Sequence, residues 1–255
     1  ASALRAEGED AAAALTAALE TARSEVAAVD DARTTARPAA GHARALADLV
    51  AGRDADLSAE SVAAVAQATE ALESLLESAD AAAGPTLRVE VGDLPERYVD
   101  AADVAGLRAR VARELDRLAG LGAEATRRAG ELTEAVGAAS SAVGLAVQAS
   151  VPAAAATLAT APEANEDARA RFVSAAATLA ALGDTPALDV RTTQAFTAYL
   201  GAADALRRAH ADAVTAREAA ERLAAEQAEA ERAAAEAAEA ERRQREAERP
   251  WWRWW

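Results

Sequence analysis

Cysteine, methionine, lysine and isoleucine are all missing from this chain, and asparagine occurs once, at Asn165. Without cysteine there are no disulfides, no thiolate-bound zinc and no thiol nucleophile. Without lysine there is no Walker-type phosphate loop, and neither a G-x-S-x-G serine-nucleophile motif nor a glycine-rich phosphate loop is present. Aromatic residues are nearly absent too. Tyr98, Phe172, Phe196 and Tyr199 are the only ones before the last five positions, which hold all 4 tryptophans. Lysine, isoleucine, methionine and asparagine have AT-rich codons, and their absence or scarcity fits a high-GC genome. Basic residues are outnumbered, 27 against 42 acidic, for a net charge of -15. So acidic a surface does not displace counterions from nucleic acid, so nucleic acid is not an expected partner.

What is present is alanine, roughly a third of the 255 residues. Burying a leucine or phenylalanine side chain contributes ~1.5 to 3 kcal/mol and alanine far less. A stable body must therefore come from helix propensity and from thin helices that approach closely. The chain is long enough for one large or two small domains. It begins at Ala1, which fits a mature secreted protein after signal-peptide removal and equally a trimmed chain.

Helical spacing organises almost everything. The pattern predicts a helix from about Glu9 to Arg37, ended by Pro38 and Gly41, and a short one from Ala43 to Ala51, stopped by Gly52. A third is capped by Ser58 and runs to the break at Gly84-Pro85. Leu87, Val89 and Val91 then alternate with polar residues in strand fashion. From Asp103 a long helix carries Leu107, Val111, Leu118, Leu132, Val136 and Val143, with breaks at Pro152 and Pro162. Another follows from about Asn165 to Leu182, and Asp189 caps the last. The expected domains are a first three-helix repeat (1–84), an extended linker (85–103), a second, longer helical repeat (104–215), an Ala/Glu/Arg stalk (216–249) and a Trp/Arg tip (250–255).

The two halves resemble each other. Leu15-Thr16-Ala17-Ala18-Leu19 matches Leu132-Thr133-Glu134-Ala135-Val136 at one constant offset, and Gly52, Leu57, Ser58, Ser61, Val65 and Leu75 match Gly183, Leu188, Asp189, Thr192, Phe196 and Leu206 at another. Glu20, Arg23 and Glu25 of the first copy become Gly137, Ser140 and Ala142 in the second, so the second should be a buried central helix. The expected fold is all-α: two duplicated antiparallel three-helix units around that helix, with a long charged C-terminal single helix or coiled-coil stalk. Gly130, Gly137 and Gly144 recur on one side of it, each at a cost of ~1 kcal/mol, so a neighbouring backbone is expected to pack close there.

Chemistry-bearing constellations are few. His42 and His210 sit in no metal-ligand spacing. Asp54 and Asp56 lack the rest of a calcium loop and read as solvated. Adjacent carboxylates such as Glu9-Asp10 point apart on a helix. No enzyme activity, cofactor, metal or small-molecule substrate is expected. From Ala135 to Pro162 no charge appears, which reads as a core helix, or as the insertion segment of a helical pore-forming toxin.

The stalk repeats loosely every ten residues, at Glu221-Arg222, Glu231-Arg232 and Glu241-Arg242. That period slips by ~80° per repeat around the helix, so a single solvated helix is expected, supported by pairs such as Glu218/Arg222, Glu239/Arg243 and Glu241/Arg245. Beyond Pro250 stand Trp251, Trp252, Arg253, Trp254 and Trp255. Tryptophan suits membrane interfaces and sugar faces, and arginine binds phosphate and carboxylate. These five are the candidate contact residues, for a protein partner or self-association, an anionic cell-wall polymer or a membrane interface.

The L-T-x-A pattern at Leu15 and Leu132, set in alanine-rich helices with an Ala-Glu-Arg stalk, resembles secreted or wall-associated repeat proteins of high-GC Gram-positive bacteria. The last helix resembles the stalk of envelope-spanning TolA-type proteins. The resemblance implies a secreted, surface or envelope location and a structural, spacer or adhesive role. The alternatives are a subunit of an extracellular filament docking by its tryptophan tail, and the pore-forming toxin.

Overall fold

The computed structural model describes residues 2–81 and 101–248, and everything among them is helix or short connection. The expected strand at 87–91 and the tip lie outside the described residues, as does most of the expected linker; its last three positions, 101–103, are helical. Six helices follow one another: α1 (Ser2–Val50), α2 (Asp54–Leu57), α3 (Ala59–Ala81), α4 (Ala101–Thr160), α5 (Glu166–Ala180) and α6 (Val190–Ala247).

Two of the expected breaks do not occur. Pro38 lies inside α1 and Pro152 inside α4, so the helices expected at 9–37 and 43–51 are one, and the long helix runs to Thr160. A proline inside a helix removes one hydrogen bond and crowds the carbonyl four residues back. Pro38 and Pro152 are both exposed, and so are Thr34 and Gln148, which own those carbonyls. Water can serve the freed acceptors, while the opposite faces, with Ala36, Ala39, Ala40 and Ala43 in α1, are buried and hold the helix straight through.

The backbone of the fold is the pair α1 and α4. In α1, Leu15, Ala22, Ala36, Ala43 and Val50 are buried at multiples of seven; in α4, Val111, Leu118, Ala125, Leu132, Ala139 and Ala146 are buried at steps of seven. A seven-residue repeat keeps one seam facing one neighbour along the whole helix. Glu7 pairs with Arg108, Leu15 packs with Val111, Ala36 and Ala40 with Leu132 to Ala139, and Val50 shares a core with Val147. Positions rise together in both helices, so they run parallel. The seam is mostly alanine, which brings the two axes close.

α3 returns antiparallel along the upper half of α1. Asp80 reaches Arg33 and, at 2.9 Å, Arg37, while Glu73 lies 3.4 Å from Arg44. Gly52 ends α1 with φ +73° and Gly183 ends α5 with φ +77°, conformations open to glycine at little cost. Ser58 accepts from the Ser61 N–H at 3.3 Å, Asn165 from Ala168 at 2.8 Å and Asp189 from Thr192 at 2.9 Å, so the starts of α3, α5 and α6 carry side-chain caps. α4 touches every other helix and is central, as its loss of charge implied.

The glycine row on α4 divides. Gly144 is buried, and a Cβ there would collide with the Asp184 carbonyl in the α5–α6 connection. Gly130 and Gly137 are exposed with nothing within 4 Å of such a Cβ, so no described backbone packs against them. Two substitutions should therefore move stability in opposite directions in urea unfolding. Gly137→Ala gains about 1 kcal/mol from helix propensity, and Gly144→Ala loses about 1 to 3 kcal/mol by overpacking. Equal effects at both positions would contradict the packing described.

Candidate functional site

The last helix changes character along its length. Thr192, Ala195, Phe196, Tyr199, Leu200, Ala203 and Leu206 are buried, and every residue from Thr215 to Glu248 is exposed. This outer stretch is held as helix by its own pairs, Glu218 to Arg222 at 4.0 Å and Glu239 to Arg243 and Glu241 to Arg245 at 2.7 Å. Such pairs contribute about 0.2–0.5 kcal/mol each, and alanine supplies the rest through propensity. The candidate contact residues Trp251, Trp252, Arg253, Trp254 and Trp255 follow its end, outside the described residues.

Where α6 meets the body there is a polar cluster that the spacing of the sequence did not announce. Asp56, read from sequence as solvated, is only 2 % exposed, whereas Asp54 is exposed as expected. The Asp56 carboxylate accepts from the Arg207 guanidinium, and Arg53 lies 3.8 Å away. Arg53 donates two parallel bonds to Asp204, at 2.8 and 2.9 Å, and Arg207 donates to the same Asp204 at 3.2 Å. Two arginines and two aspartates thus alternate across the junction between the α1–α2 connection, α2 and α6. Removing water from Asp56 demands such pairing, since an unpaired buried charge costs several kcal/mol.

Tyr199 completes the junction. Its ring is fully buried and stacks on Phe172 at a centroid distance of 5.5 Å. Its hydroxyl faces the carbonyls of Asp56 at 3.1 Å and Ser150 at 3.3 Å, to which it can donate. Burial, and then the charge of Asp56, push the phenol up to about 12. The bidentate bond from Arg53 holds Asp204 below the usual carboxylate range, and the same contact raises Arg53. The partners come from positions around 53–56 and 199–207, too far apart in sequence for any local pattern to link them.

Other features carry little chemistry. Among the described residues no three His, Cys, Asp or Glu side chains gather as metal ligands. His210 accepts from the Glu163 N–H at 3.3 Å, and His42 lies near the capping Asp189. A shallow groove of about 360 Å³ between α5 and α6 is lined by Asn165, Arg171 and alanines such as Ala202 and Ala209. The uncharged stretch 135–162 buries one side of α4 and leaves Leu145 51 % and Val151 55 % exposed on the other. Among the described residues one helix, 108–160, is long and apolar enough to cross a membrane, and only 44 % of its most apolar window is buried.

No protein family, curated protein sequence or solved structure matches this chain.

Two outcomes follow from the junction. Arg207→Ala strips Asp56 of its closest cation and should lower stability by on the order of 3 kcal/mol, read by urea unfolding; a loss below a few tenths would place Asp56 in water. Tyr199 should give an alkaline transition. Its folded pKa lies above the ordinary 10.0, so its contribution is complete below pH 10 and is lost as pH rises through about 12. Phenolate absorbance and helicity should change together in that window, and Tyr199→Phe should remove its share of the pH dependence.

Proposed function

We propose that this is a non-enzymatic structural protein of the cell surface or envelope. In this reading the helical body is a rigid base, α6 is a stalk and the Trp/Arg tip attaches it to a partner. The observation that carries it is the exposure of every residue from Thr215 to Glu248 in a helix that ends just before the tip. At 1.5 Å per residue that stretch is about 50 Å long, which would carry a tip at its end well away from the body. A helix with no large apolar residue after Leu223 serves reach better than packing, and five aromatic or basic residues beyond a proline serve contact.

The body reads as an internal duplication of the segment from glycine through cap to helix. Gly52 and Gly183 share positive φ, Ser58 and Asp189 are both caps, and buried Ser61, Val65, Thr69 and Leu72 correspond to buried Thr192, Phe196, Leu200 and Ala203 at the same offset. Duplication would explain how one short motif supplies both ends of an extended body. A surface anchored spacer gains length from it.

The half-exposed, charge-free face of α4 favours a second reading, a helical pore former whose segment 135–162 inserts into lipid. One experiment separates the two. The full chain and a chain ended after Arg249 are sedimented with purified cell wall and with anionic liposomes, and dye release from the liposomes is followed. Binding to wall or membrane that disappears with the tip, without dye release, is the expected result. Dye release by both chains would replace the spacer with the pore former, and binding that ignores the cut would remove the tip from the account.

A further inference from the structure

α5 and α6 pack antiparallel: Phe172 stacks on Tyr199, and the turn before α5 meets α6 at His210. Between those two levels the helices face each other with small side chains. Ala168 on α5 and Ala202, Ala205 and Ala209 on α6 recur at helical spacing, and no large side chain fills the space between the axes. The groove of about 360 Å³ is the consequence. Its floor is alanine, and at its rim stand Asp167 and Arg171. Both are exposed, and neither forms an ion pair among the described residues.

Reach decides what can enter the groove. It lies near the end of α4, about 80 to 90 Å along that helix from Ala101. Residues 82–100 are tied to Ala101, and a segment of that length spans about 65 Å when fully extended, so no part of it arrives there. The chain's own tip is excluded by the same arithmetic. α6 is one helix from Val190 to Ala247, so its end lies about 55 Å beyond Ala209, and residues 248–255 reach back by about 30 Å at most. Whatever fills the groove comes from another molecule.

We propose that the groove is the socket for the Trp/Arg tip of a second copy. An indole of the tip lies on the alanine floor with Arg171 over its face, and Arg253 pairs with Asp167. A floor without large side chains suits a large flat ring, and each side brings a charge that the other can meet. The inference rests on the reading of the tip as a contact element, and it names what the tip contacts. Socket and tip are unlike surfaces and cannot meet within one chain, so copies join head to tail.

All 4 tryptophans belong to the tip, so the tryptophan emission of the protein reports on the tip alone. The test follows emission and sedimented mass of the full chain over a range of concentrations. Beside it stand a chain ended after Arg249, Ala205→Phe, which lays a ring over the floor from an exposed position, and Ala177→Phe, on the opposite side of α5. Asp167→Arg is measured alone and together with Arg253→Asp. The native emission should move to shorter wavelength as the mass grows. Ala205→Phe should weaken association at least tenfold and Ala177→Phe should not; Asp167→Arg should weaken it and Arg253→Asp should restore it. The cut chain should stay monomeric, and circular dichroism should show equal helicity in the folded body of every variant. A native chain that stays monomeric overturns the proposal, as does association that survives the cut or ignores Ala205→Phe. If a monomeric native chain still binds cell wall or liposomes through its tip, the function proposed above stands and the socket alone falls.

Discussion

Close approach of α1 and α4 along one alanine seam is the constraint on which the rest depends. An alanine contributes little when buried, so many must be buried at once, and only two long helices in constant register can do that. The seam from Leu15 and Val111 up to Val50 and Ala146 fixes both helices as parallel. Once parallel, they leave edges for further helices. α3 takes one above Arg33, and Phe172, Phe196 and Tyr199 are buried together in the core that α5 and α6 share with the ends of α1 and α4. The few large side chains are gathered at the one level where α6 has to be gripped.

That grip has two parts of different chemistry. Tyr199, Phe196, Leu200 and Leu206 bury apolar surface, and the alternation of Arg53, Asp204, Arg207 and Asp56 sets where α6 sits against the α1–α2 connection. An apolar face on alanine neighbours would allow sliding by a turn, but a bidentate guanidinium–carboxylate bond has one good geometry. Beyond Leu223 the helix has no large apolar residue, and each residue from there to Glu248 is exposed.

Much of this was legible in the sequence. Cap residues Ser58, Asn165 and Asp189 mark their helix starts, glycines 52 and 183 mark stops, and the loss of charge from Ala135 onward marks the central helix. Pro38 and Pro152 misled because a proline's cost depends on what its face meets, and both meet solvent while the opposite side is packed. Asp56 misled because its closest partner, Arg207, is far off in the chain. The glycine row on α4 was visible, but only Gly144 lies against another backbone. The spacing of residues told which face was special without telling what would lie on it.

By itself the sequence determined the all-helical class, the starts of α3 and α6 and the approximate extent of α5. These are local consequences of propensity, capping and composition, which act within a few residues. Only the tertiary structure decided that α1 and α4 run parallel, that both continue through their prolines, and that Asp56 is a buried anion held by arginine. Each of those depends on which surface another segment covers. A short pattern along one chain fixes periodicity, and partnership is settled by packing between segments that the sequence keeps far apart.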